Sequence, residues 1–99
     1  ASADTMLEKV LEYASKKYMV STEDILGNKR TANIVAARHF AVYMVRKTTT
    51  YSQKQIAELF KRKDHTTIIN SINVMEQKVV SDPIFAREMA HTIEEILQG

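Results

Sequence analysis

Cysteine is absent, and two glycines and one proline are all the chain holds of the strongest turn formers. The missing cysteine removes a disulfide framework and a thiolate zinc site, as suits an intracellular protein. So few turn residues exclude a sheet sandwich, and no apolar run approaches the length that crosses a bilayer. Three histidines, His39, His65 and His91, fall on separate predicted helices without a His-x-x-x-His spacing, so no metal site is expected. Asp64 beside His65 is an adjacent pair, not a set of nucleophile, base and orienter, and no G-x-x-x-x-G-K segment exists to hold a nucleotide. No catalytic residue, cofactor or small-molecule substrate is therefore expected in this chain.

Apolar residues make up 44% of 99, enough for one helical core and too few for a second. One domain is expected. The chain opens on Ala1, not methionine, and is expected to be a piece of a longer one. The formal net charge of +2 conceals a sharp segregation. Between Gly27 and Lys63 stand nine cations (Lys29, Arg30, Arg38, Arg46, Lys47, Lys54, Lys61, Arg62 and Lys63) and one anion, Glu58, a net of +8; the remainder carries −6. A cationic middle of this kind attracts a polyanion, with the acidic flanks turned away from it.

Helical spacing recurs along the whole chain. Asp4 or Thr5 is expected to cap a first helix over Thr5 to Tyr18, with Thr5 and Glu8 as a capping box and Leu7, Val10, Leu11, Ala14 and Tyr18 on one face. Ser21 to Leu26 gives a short helical piece that stops at Gly27. Thr31 or Asn33 caps the longest helix, Asn33 to Lys47, with Ile34, Ala37, Ala41, Met44 and Val45 as its buried stripe. The run Thr48-Thr49-Thr50 breaks it, because branching at Cβ and competing hydroxyls both disfavour helix. A last helix follows Asp82 and Pro83 and runs to about Gln98, with Ile84, Phe85, Met89, Ile93, Ile96 and Leu97 as its apolar face. No strand and no internal repeat is predicted.

Most of the chemistry lies between residues 52 and 79. Ser52 to Phe60 opens with a Ser-x-x-Gln capping box, and Lys61 to Met75 runs a cluster of cations into a second helix start. That second helix is expected to begin at an Asp64 N-cap, to bury Ile68, Ile72, Met75 and Val79, and to present Thr66, Asn70, Asn73 and Gln77 on the opposite face. Two helices joined so tightly read as a helix-turn-helix, whose second member enters the major groove by its N-terminal end.

The run Lys63-Asp64-His65-Thr66-Thr67-Ile68, with Asp24-Ile25-Leu26 and Arg30 upstream, resembles the C-terminal DNA-binding domain of the bacterial replication initiator DnaA, without a gap from about Tyr13 to Met75. The resemblance implies an all-α domain of about five to six helices containing a helix-turn-helix, with a Trp-repressor-like arrangement. It implies double-stranded DNA as the partner, a DnaA-box-type site at an origin as the target, and a nucleoid-associated place in the cytoplasm. ATP would belong to a separate domain of a full-length parent. This chain departs from the family at Lys61 and Arg62, where small residues, often glycine, are common.

On the residues, Asp64 either caps its helix or accepts from cytosine N4; the resemblance assigns Asp64, His65 and Thr66 to base edges in the major groove. It likewise assigns Arg30 to the minor groove, where a loop arginine meets an enhanced negative potential over A·T-rich sequence. Lys29, Arg38, Arg46, Lys54, Lys61, Arg62, Lys63 and Thr67 are expected at phosphates, with a solvated-face role as the alternative for Arg38 and Arg46. An isolated domain of this size is expected to be monomeric. The rivals are the same domain in a transcriptional regulator or mobile-element protein, and a helical interaction module whose cations meet an acidic protein.

Overall fold

A computed structural model describes residues 3–99, with side chains from Thr5 onward. Six helices follow one another: α1 (Ala3–Tyr18), α2 (Thr22–Leu26), α3 (Ala32–Thr48), α4 (Gln53–Leu59), α5 (Thr66–Ser81) and α6 (Pro83–Gln98). There is no strand among the described residues.

Helix α3 is the hub against which each of the other five packs. Its expected stripe of Ile34, Ala37, Ala41, Met44 and Val45 is buried, but so are Phe40, Val42 and Tyr43 between those positions. A helix walled in on several sides has no solvated face along that stretch, so the one-stripe reading was too narrow. Tyr13 stacks on Phe40 at 6.0 Å between ring centroids and Tyr18 tilts against it at 5.7 Å, fixing α1 across the hub.

Local signals set most helix ends. Ser52 accepts from the Gln55 amide while the Gln55 side chain accepts from the Ser52 amide, so the capping box of α4 is formed. Asp82 Oδ1 takes the amides of Ile84 and Phe85 ahead of Pro83, which opens α6. At the end of α3, Thr48 and Thr49 donate their hydroxyls back to Met44 and Val45 carbonyls.

Three further expectations need correction. Helix α1 is already helical at Ala3, so Thr5 lies inside it and not at its cap; the Asp4 alternative falls outside the described side chains. Ile84 and Leu97 are 81% and 53% exposed, which leaves Phe85, Met89, Ile93 and Ile96 to seat α6. The second helix of the pair starts at Thr66, two residues after Asp64 and with His65 between them, and the Asp64 carboxylate accepts the Thr66 amide across that turn.

The turn between α4 and α5 is closed by its backbone. Lys61 N–H donates to Glu58 O at 3.1 Å and Arg62 N–H to Ala57 O at 2.8 Å, the paired bonds of a Schellman end. That motif puts Lys61 at φ 57, in the left-handed region where a Cβ is unwelcome. Phe60, fully buried just before it, pins the turn to the core.

Candidate nucleic-acid interface

The α5 start is wholly exposed from Lys63 to Thr67. Asp64 Oδ1 accepts both the Thr66 amide at 2.9 Å and the Thr66 hydroxyl at 2.7 Å. Those bonds, the backbone one first, hold the Asp64 carboxyl below the ordinary carboxylate range, so it is ionised at neutral pH. Both fall on the same oxygen, which leaves Oδ2 for an external donor. The Thr67 hydroxyl is turned to Asp64 O at 3.3 Å. His65 takes helical dihedrals without capping through its side chain, so its ring is available.

Arg30 stands exposed in the connection between α2 and α3. It shares an open groove of about 540 Å³ with Arg38 and His39 of α3, Arg62 of the turn, and Thr67, Asn70 and Ser71 of α5. The loop arginine therefore walls the same depression as Thr67, Asn70 and Ser71 of α5, whereas Asp64, His65 and Thr66 stand exposed outside its lining.

Two of the arginines in that groove already have partners. Arg38 donates from Nε to Ile25 O at 2.8 Å, from Nη1 to Lys29 O at 3.1 Å and from Nη2 to Asp24 O at 3.0 Å, gathering the last carbonyls of α2 and the loop beyond. Burial, and after it the charges of Arg62 and Arg30, push its pKa below the ordinary arginine value. Arg62 donates from Nη1 to Asn28 Oδ1 at 2.6 Å and from Nη2 to Gly27 O at 2.7 Å.

The other expected phosphate residues are spread more widely. Arg46 holds Tyr51 O at 3.1 Å, at the α3–α4 connection, and Lys29 pairs with Asp24 at 3.2 Å. Lys54, Lys61 and Lys63 are exposed on and after α4. None of these five lines the groove.

Reading the sequence missed His39 and Ser71. His39 Nδ1 lies 2.7 Å from Ser71 Oγ, and Ser71 is 4% exposed. The available signal was a serine on the apolar stripe of Ile68, Ile72 and Met75, a place where a hydroxyl needs a partner. Burial, and after it the charge of Arg38, lowers the His39 pKa, so the imidazole is neutral at pH 7.

A family model described as the bacterial dnaA protein helix-turn-helix matches residues 7–74. The chain is 40% identical over 79 residues to the chromosomal replication initiator protein DnaA of Aquifex aeolicus, an alignment covering 80% of this chain and 20% of that one. A crystal structure of a DNA replication initiation factor superposes with a TM-score of 0.85 at 32% identity, over 97% of this chain and 29% of that one. A replication initiator DnaA bound to AMPPCP and single-stranded DNA gives 0.77 at 33% identity, over 95% and 30%. The chain thus spans about a fifth of the length of the curated relative it matches.

Proposed function

Given that this chain belongs to the bacterial dnaA helix-turn-helix family, we propose that it binds double-stranded DNA sequence-specifically, as a monomer, at a DnaA-box-type site of a replication origin. One observation carries the reading: Arg30 and the N-terminal turns of α5 face one cationic groove. A duplex seated there meets a helix end suited to the major groove and a loop arginine suited to the adjacent minor groove.

The roles divide by chemistry. Asp64, His65 and Thr66 read base edges: the ionised Asp64 accepts from cytosine N4, and Thr66 and His65 meet neighbouring edges. Thr67, at the α5 start, holds a phosphate, helped by the helix dipole. Lys54, Lys61 and Lys63 add sequence-blind, salt-sensitive attraction, with Arg46 and Lys29 at its edges. Arg38 and Arg62 contribute charge while their N–H groups hold the loop. The chain is matched as a helix-turn-helix and not as a catalytic domain, and in this reading ATP chemistry falls to other parts of a parent.

Selection from a random duplex pool, followed by anisotropy titration in rising salt, tests the proposal. A single enriched motif bound at least about a thousand-fold more tightly than scrambled duplex is expected. Equal affinity for every duplex would leave only a cationic surface.

A further inference from the structure

The loop over residues 27–31 has no helix of its own to hold it, yet it must present Arg30 at a fixed distance from α5. Arg38 ties it to the hub helix through one bond, to Lys29 O. Arg62 ties it to the helix-turn-helix, and among the described residues no other hydrogen bond joins that loop to α4, α5 or the turn between them. The two bonds of Arg62 form a fork onto Asn28 Oδ1 and Gly27 O, a geometry that a lysine cannot reproduce. Arg62 is itself placed by its backbone, since its amide closes the turn on Ala57.

Resting on the DNA-binding reading above, we propose that Arg62 is a positioning residue whose latch onto Asn28 and Gly27 sets the minor-groove arm and the α5 start as one rigid unit. Two readouts that would otherwise be ordered separately are ordered before DNA arrives. Preorganisation of this kind acts on affinity by removing the entropy lost when a loop side chain is immobilised on binding. Arg30, Arg38 and Arg62 bring like charge together around the groove, and the carbonyl and amide acceptors of Arg38 and Arg62 offset part of that repulsion.

The test reads the minor groove directly. On the duplex that the wild-type chain selects, each A·T pair is replaced in turn by diaminopurine·T, which adds an amino group to the minor groove and leaves the major-groove edge alone. Wild type should lose roughly ten-fold at the pair where Arg30 inserts. Asn28→Ala, which changes no charge and sits in an exposed loop, should cut that penalty to about three-fold or less while binding scrambled duplex as wild type does. Asn28→Asp keeps the acceptor and should restore the penalty, although its added anion weakens binding overall. Arg62→Lys keeps the charge without the fork and should cut the diaminopurine penalty as Asn28→Ala does. If Asn28→Ala and Arg62→Lys keep the full diaminopurine penalty on a selected duplex, the latch is overturned and the DNA reading stands. If wild type selects no duplex, the DNA reading fails and the latch falls with it.

Discussion

The imidazole of His39 on α3 lies 2.7 Å from the hydroxyl of Ser71 on α5, and this bond crosses the packing of the hub helix and the second helix of the helix-turn-helix. Burial, then the charge of Arg38, lowers the His39 pKa from its ordinary 6.5. The folded state therefore binds this proton less readily than the unfolded chain. Its stabilising effect is complete above about pH 6.5 and is lost as pH falls below that value toward the lowered folded pKa. Thermal melts between pH 7.5 and 5.5 should show a falling Tm in wild type and a flatter profile in His39→Gln. Parallel profiles would mean that His39 has no part in it.

Lys61 carries opposing demands. Its φ of 57 costs a residue with a Cβ about 1–2 kcal/mol, and glycine recovers that less the entropy it adds to the unfolded chain. Lys61→Gly should raise unfolding stability by about 0.5–1 kcal/mol in urea titration. The same variant should bind DNA more weakly, with a salt slope lower by about one unit. A stability loss would show that the turn is not strained there.

Substitution can separate the bonds that Asp64 makes to Thr66 from the base-reading role proposed for it. Asp64→Asn keeps an acceptor for the Thr66 amide, so helicity and Tm should hold, while discrimination at one base pair relaxes by about ten-fold. Asp64→Ala removes both and should also lower Tm. If Asp64→Asn leaves specificity untouched, the carboxylate serves only the turn.

What the sequence displays plainly is local. Ser52 with Gln55, and Asp82 with Pro83, act over three residues or fewer, so their helix starts are legible without a fold. Hydrophobic period placed Ile68, Ile72 and Met75 inward, where they are. It could not place Phe40, Val42 and Tyr43, because burial on several sides depends on which helices surround α3. Nor could it show that Arg38 and Arg62 hold carbonyls 9 to 35 residues away, since an arginine in a basic stretch looks the same whether it faces a phosphate or a backbone oxygen. The two-residue offset between Asp64 and the α5 start goes with an Asp64–Thr66 bond that hydrophobic spacing does not display.

Arg30, which lines the groove, and His65, which stands exposed beside it at the α5 start, together test the central claim that one duplex meets a minor-groove arm and a major-groove helix end. Titration of Arg30→Ala and His65→Ala against the selected duplex, at one fixed salt concentration, should show each weakened by about ten-fold or more. Wild-type affinity for that duplex in both variants would contradict the account.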